Sequence, residues 1–220
     1  MPKRENISTS VIKRLPRYYR FLNGLNRDGV VRISSRELSQ RMGLTASQIR
    51  QDLNCFGGFG QQGYGYNVEQ LFKEIGRILG LQNRYKAVLI GAGNLGRALA
   101  SHIDFERHGF HIVGVFDKKE SMAGQMVHGM PVRLMSELED FCRNNHPETA
   151  ILCIPDEAAE QLVPVLLKLG VTGYWNFTHY DIATNHLGTA VQNVHLEDNL
   201  MRLSYQVSTL KNNDIKRSDI

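Results

Sequence analysis

The stretch Lys86-Ala87-Val88-Leu89-Ile90-Gly91-Ala92-Gly93-Asn94-Leu95-Gly96 decides the reading of the second half of this chain. Its apolar run, too short for a buried helix, passes straight into three glycines, and Arg97 to Ile103 continues with helical character. Strand, glycine turn and helix follow one another. In a G-x-G-x-x-G turn the first glycine, Gly91, permits the tight bend, and the second, Gly93, lets the backbone approach a pyrophosphate. The third, Gly96, lets helix and strand pack closely. Gly91, Ala92, Gly93, Asn94, Leu95 and Gly96 are therefore the candidate phosphate cradle, with the free amides of a helix N-terminus behind them.

Reading onward, Phe110 to Phe116 forms a second apolar run that ends at Asp117, 21 positions beyond Gly96. An acid about 20 residues after the turn is placed to accept from the adenosine ribose hydroxyls and to repel a 2′-phosphate, so NAD is favoured over NADP. Lys118 and Lys119 read as solvated loop lysines. Further strands are expected at Thr149–Pro155 and Val171–Phe177, with a helix from Ala158 to Leu169 between them, and strand–helix alternation implies a parallel α/β sheet. Ligands in such sheets lie at the carboxyl ends of the strands, which brings in Ile154, Pro155, Asn176 and Phe177 on the nicotinamide side. Beyond them Leu196, Leu200, Leu203, Val207 and Leu210 alternate at spacings of four and three, a helical seam suited to its own domain or to a second subunit.

Reading back toward the N-terminus, the charge changes sign. Residues 1–84 hold 14 basic against 6 acidic side chains, and residues 85–220 hold 12 against 16. The basic half suits a polyanion only if its shape agrees. Leu15, Tyr18, Tyr19 and Leu22 recur at helical spacing among Lys13, Arg14, Arg17 and Arg20. Ser34-Ser35 followed by Glu37 caps a second helix running to about Met42. After Gly43, Thr45 caps a third helix that carries Ala46, Ser47, Gln48, Arg50 and Gln51 on one side and Ile49 and Leu53 on the other. That is a helix–turn–helix layout, whose second helix enters the major groove. Phe56 to Tyr66 then alternates aromatics with glycines, which predicts a two-stranded wing holding Gln62 and Tyr64, and Asn67 to Gly80 reads as one more helix. The candidate DNA contacts are Arg14, Ser35, Thr45, Ser47, Gln48, Arg50, Gln51, Gln62 and Tyr64.

The length suits two small domains, placed at residues 1–84 and 85–195, with 196–220 as a C-terminal helix and tail. No stretch reaches the apolar length of a membrane span, and the N-terminus lacks a signal-peptide core, so a soluble, cytoplasmic protein is expected. Cys55, Cys142 and Cys153 are odd in number and far apart, which indicates neither disulfides nor a metal site and suggests structural thiols.

Together these features resemble the redox-sensing transcriptional repressors of the Rex family, from about Val11 to Leu210. The resemblance rests on Arg14-Leu15-Pro16 with Tyr18-Tyr19-Arg20, on Gln48-Ile49-Arg50 with Asp52-Leu53, and on Phe56-Gly57 through Gly63-Tyr64-Gly65-Tyr66-Asn67-Val68. It rests as well on the glycine turn with Asn94 and on Trp175-Asn176-Phe177. It implies a Rossmann domain preceded by a winged-helix DNA-binding domain, and a homodimer whose C-terminal helix is exchanged between subunits. It further implies a repressor bound to double-stranded operator DNA, an A/T-rich inverted repeat, when free or with NAD+, and released by NADH.

Where family members commonly have basic residues in the reading helix and the wing, this chain has Gln51 and Gln62, which implies fewer phosphate contacts. Where they have an aromatic and an acid as partners in the switch, it has His102 and His195, while Arg20 matches their helix-one partner. Two histidines there would make the response depend on pH between about 5 and 8. A dehydrogenase is the rival reading. It is opposed by the absence of any tyrosine followed four residues later by lysine, and by the lack of a second domain to carry substrate. A protein-binding helix–turn–helix module is the other.

Overall fold

The computed structural model describes residues 7–57, 59–61 and 64–218. The chain divides into two compact units, Met1–Asn83 and Arg84–Ile220.

In the first unit, helix α1 (Thr9–Arg27) is followed by strand β1 (Arg32–Ile33), helix α2 (Ser35–Met42) and helix α3 (Ala46–Asn54). Strands β2 (Gly60–Gln61) and β3 (Gly65–Asn67) and helix α4 (Val68–Ile78) complete it. Local chemistry sets each boundary. Ser34 Oγ accepts from the Glu37 amide at 3.1 Å while Glu37 accepts in return from the Ser34 amide at 2.9 Å, a reciprocal cap on α2. Gly43 ends α2 in the left-handed region at φ 61°, and Thr45 Oγ1 accepts from the Gln48 amide at 3.1 Å to open α3. Leu15, Tyr18 and Leu22 of α1 bury against Leu38, Met42, Ile49 and Leu53 of the helix–turn–helix and against Leu71 and Ile75 of α4. The sheet runs β1-β3-β2, antiparallel throughout. Gly65 is obligatory there, since at φ +69° a Cβ would stand 2.6 Å from the Ile33 carbonyl oxygen.

In the second unit the order is β4 (Tyr85–Ile90), α5 (Asn94–His102), β5 (Phe110–Asp117), β6 (Met126–Val127), β7 (Met130–Leu134), α6 (Leu138–Asn145) and β8 (Thr149–Leu152). Then come α7 (Asp156–Lys168), β9 (Gly173–Asn176), α8 (Ile182–Asn185), β10 (Ala190–Asn193) and α9 (Leu196–Ser218). The sheet order is β10-β9-β8-β4-β5-β7-β6, parallel except for the β6–β7 hairpin. Alternate residues serve opposite faces. Val88, Ile90 and Phe116 pack with α6 and α7, while Ala87, Leu89 and Val115 pack with α5 and Phe105. Burial on both faces is why the central strands read as unbroken apolar runs. The chain moves from β4 toward β5 and β7, then returns to the other side of β4 at β8. The β4–β8 boundary is thus the switch point where such sheets bind ligands.

The expected strand at Thr149–Pro155 ends at Leu152, because Pro155 lacks an N–H and instead precedes α7, whose first turn carries Asp156 and Glu157. The β6–β7 hairpin, α6 and β10 were not expected. Along α9, Leu196, Leu200, Leu203, Val207 and Leu210 are all exposed, by 42–66%.

Candidate functional site

The glycine turn is held as its spacing requires. Gly91 has φ +96°, and a Cβ on it would stand 2.3 Å from the Cys153 carbonyl oxygen at the end of β8. On Gly96 a Cβ would stand 1.9 Å from the Gly91 oxygen, so α5 lies against the strand exit with no room for a side chain. On Gly93 it would meet nothing within 4 Å. The crowded glycines are therefore demanded by the protein, and the open one faces free space. Gly93 gives α5 no side-chain cap, so the first amides of that helix keep their donors for an anion.

Asp117, 8% exposed, accepts from the Ala92 amide at 2.8 Å through Oδ2 and from the Lys119 amide at 2.9 Å through Oδ1. It braces the turn, and each oxygen retains one lone pair for a further donor. Arg97, absent from the sequence-based site, donates through Nε to the Ala92 carbonyl at 3.0 Å and through Nη2 to Gln125 Oε1. A cation in the first turn of the phosphate helix was the signal that could have found it.

Ile154 is half-buried, Pro155 is exposed and Phe177 is half-buried, its ring 4.8 Å from that of Trp175. Asn176 corrects the sequence reading. It is fully buried, its Nδ2 donating to the carbonyls of Thr178 and Tyr180 and to Asn193 Oδ1, its Oδ1 accepting from the amide and hydroxyl of Thr178. Its amide shapes the loop after β9 and is not presented to a ligand. Burial pushes the Cys142 thiol up to about 11 and the Cys153 thiol up to about 12, away from the reactive thiolate form. Cys55 is exposed at the end of α3.

In the first unit α3 presents Ser47, Arg50 and Gln51, all exposed, with Gln48 half-buried beside them. Thr45, also exposed, caps the helix, and Arg50 Nη1 donates to Ser35 Oγ at 3.2 Å. In the wing Tyr64 is 70% exposed, and Arg32 donates to its carbonyl at 3.3 Å with the guanidinium 5.9 Å from its ring. Gln62 lies outside the described residues. Arg14 does not stand free toward DNA: it forms a two-pronged pair with Asp52, at 2.7 and 2.8 Å, and Tyr18 donates to the same carboxylate at 2.9 Å. Burial alone would push the Asp52 carboxyl up, but donation by Arg14, Gln48 and Tyr18 outweighs it and holds the group below the usual carboxylate range. Nothing in the local sequence marks Asp52 as buried, because three of its four hydrogen bonds come from α1, 34 and 38 residues away.

Arg20 is exposed on α1, bordering a groove of about 490 Å³ with Phe21, Gly24, Leu25, Asp28 and Arg41. His102 is exposed in the last turn of α5. His195 stacks on His179, centroids 5.1 Å apart, with Nδ1 3.8 Å from Asp198. His179 in turn lies 3.6 Å from Asp156 and 3.3 Å from Glu197. Among the described residues no His, Cys, Asp or Glu cluster could hold a metal ion, and no helix is long and apolar enough to cross a membrane.

A helix–turn–helix with a wing and a parallel sheet with a dinucleotide turn define the class: a DNA-binding domain joined to a nucleotide-binding domain. Residues 6–54 match the family "Putative DNA-binding protein N-terminus" and residues 82–180 the family "CoA binding domain". The chain is 50% identical over 201 residues to the redox-sensing transcriptional repressor Rex of Clostridioides difficile, covering 91% of this chain and 95% of that one. With the Rex of Caldanaerobacter subterraneus subsp. tengcongensis it shares 47% over 208 residues, 94% and 92% of the two chains. The crystal structure of RSP in complex with β-NAD+ and operator DNA superposes with a TM-score of 0.88 at 44% identity, covering 98% of this chain and 99% of that one. RSP in complex with β-NADH gives 0.84 at 41% identity, covering 94% and 97%. The chain belongs to the family of redox-sensing transcriptional repressors, Rex.

Proposed function

We propose that this protein is a repressor that binds operator DNA when free or with NAD+ and leaves it when NADH binds. The observation that carries this is the pairing of a capped reading helix with a nucleotide turn whose one open glycine, Gly93, faces space in an otherwise crowded loop. In that turn Gly91 to Gly96 hold the pyrophosphate, Asp117 braces the loop and receives the ribose, and Ile154, Pro155 and Phe177 flank the nicotinamide. No bond is made or broken. NADH and NAD+ act by binding the two states of the repressor with different affinities, and moving the population from 1:99 to 99:1 needs a difference of roughly 10⁴-fold.

The protein acts as a homodimer on an A/T-rich inverted repeat. Supporting this, the α9 seam is apolar and exposed, and the second unit holds an open apolar groove of about 1050 Å³ lined by Ile103, Phe105, Phe110, Ile151 and Trp175. A lone chain that leaves both uncovered fits a two-fold partner, which also matches a symmetric operator. Arg20, His102 and His195 form the candidate switch. His195 stacks on His179 and lies 3.8 Å from Asp198, while His179 reaches Asp156 and Glu197.

The test is fluorescence anisotropy of a labelled A/T-rich inverted repeat titrated with NADH and, in parallel, NAD+. Release by NADH at concentrations where NAD+ leaves the complex intact supports the reading. Binding indifferent to both nucleotides overturns it.

A further inference from the structure

Asp52 lies in α3 with no exposed surface. An ionised carboxylate offers about four acceptor sites, and here four donors fill them. Oδ2 accepts from Arg14 Nε at 2.7 Å and from the Tyr18 hydroxyl at 2.9 Å; Oδ1 accepts from Arg14 Nη2 at 2.8 Å and from Gln48 Nε2 at 2.8 Å. Gln48 differs from the other two partners, because it belongs to the first turn of α3, the part of a reading helix that meets base edges. The two ends of its amide are alike in shape, but a carboxylate only accepts. Chemistry therefore fixes the orientation: Nε2 faces Asp52 and Oε1 faces away. The backbone of Gln48 is held too, its amide donating to Thr45 Oγ1 at 3.1 Å.

We propose that Asp52 is a positioning residue for operator recognition: it holds the amide nitrogen of Gln48 back, so that Oε1 is the atom offered to the major groove and Gln48 reads the exocyclic amino group of adenine or cytosine. This rests on α3 being the reading helix. An unconstrained glutamine recognises adenine with two bonds, accepting from N6 and donating to N7. Here one N–H of Gln48 is committed to Asp52, which fixes Oε1 on the far side of the amide as an acceptor and sets it against thymine O4 or guanine O6, acceptor against acceptor. Because the side chain is ordered before DNA arrives, little rotamer freedom is lost on binding. Arg14 thereby serves recognition through Asp52, as the fork that keeps the carboxylate ionised and in register.

The experiment uses the full-length protein and a duplex that the protein itself selects from a random-sequence pool, with each base pair of one half-site replaced in turn and binding read by anisotropy. The unaltered protein is expected to discriminate by about fivefold or more at one position that Gln48→Ala flattens. Asp52→Asn flattens the same position, and combining it with Gln48→Ala removes no further discrimination there. Since loss of the charge beside Arg14 threatens the fold, base analogues test the unaltered protein directly. Purine in place of adenine, or 2-pyrimidinone in place of cytosine, lowers affinity as much as the natural substitution does. An Asp52→Asn protein that weakens every duplex by one factor with its preferences intact overturns the positioning role while leaving Gln48 a reader. A Gln48→Ala profile identical to that of the unaltered protein overturns the reading of Gln48 itself, and the role of Asp52 with it.

Discussion

Gly93→Ala separates the needs of the ligand from those of the fold. Gly93 precedes α5 with φ −70° and ψ −167°, a conformation open to alanine, and a Cβ there meets nothing within 4 Å. The protein should therefore barely notice the methyl group. Alanine is a poorer helix cap than glycine by up to about 1 kcal/mol, a fall of about 2–4 °C in melting temperature for a chain of this size. The nucleotide should notice it strongly, because the methyl group occupies the space through which the pyrophosphate reaches the α5 amides. Losing one charge-assisted hydrogen bond costs roughly 1.5–3 kcal/mol, which is about tenfold to a hundredfold in affinity. Gly96→Ala is the contrast. Its Cβ would stand 1.9 Å from the Gly91 carbonyl oxygen, a backbone atom that cannot swing aside, so α5 must move. Overpacking of that kind costs roughly 1–3 kcal/mol or more before any ligand is added. Calorimetric titration with NADH and thermal melting of the free protein read the two effects separately. For Gly93→Ala, operator binding without NADH should stay within about twofold of the unaltered protein, and the NADH needed for release should rise by the factor lost in affinity. NADH affinity within about threefold of the unaltered protein, or destabilisation equal to that of Gly96→Ala, would refute the assignment of Gly93 to the pyrophosphate.

In α9, Leu200→Asp with Leu203→Asp should yield monomers by light scattering and weaken operator binding by about a hundredfold or more, with NADH still bound; dimers of normal operator affinity would place the subunit contact elsewhere. Arg32→Ala should lower the salt dependence of operator binding by about one unit of slope, whereas Tyr64→Ala should weaken binding without changing the slope. An unchanged slope for Arg32→Ala would mean that this arginine, beside Tyr64, meets no phosphate. Asp52 has a depressed folded-state pKa, so its contribution to stability is complete above the unfolded value of about 3.9 and is lost as pH falls through the folded value. Denaturant unfolding of the full chain below about pH 4 should show this acid loss in the unaltered protein and a shallower one in Asp52→Asn; identical acid limbs would mean the carboxylate is not paired in solution.

The parts of the fold written as local patterns were legible in the sequence. Ser34, Glu37, Gly43 and Thr45 set the ends of α2 and α3 through contacts three or four residues long, and Gly91, Gly93 and Gly96 state the turn by spacing alone. What escaped was whatever depends on residues distant in the chain. The strand at Ala190–Asn193 is short, polar and mostly exposed at the sheet edge, and exists through its parallel pairing with β9. Asn176 stands in a run that leads to the ligand edge, yet its side chain is consumed by Thr178, Tyr180 and Asn193. Arg14 sits on a basic helix face that suits DNA, and only the folded chain shows that Asp52 claims it.

Asp52 and Asp117 express one physical device in two places. Each is a carboxylate buried to within 8% of full closure, and each ties a neighbouring backbone or side-chain amide into a fixed orientation. A buried charge is costly unless its oxygens are hydrogen-bonded, and here every oxygen of the two carboxylates accepts at least once. That requirement fixes the donors as much as it stabilises the acid. Ala92 cannot turn its amide away from Asp117 without stranding an oxygen, and Gln48 cannot flip its amide without setting oxygen against oxygen. If these are the surfaces that meet DNA and nucleotide, as proposed, ligand binding acts on the population of whole states without first having to organise a site. A repressor that must answer to the difference between two nucleotides of nearly the same shape gains from this rigidity. If the turn or the reading helix were free to adapt, both nucleotides and many duplexes would be accommodated, and the few kcal/mol that separate them would be spent on ordering the protein.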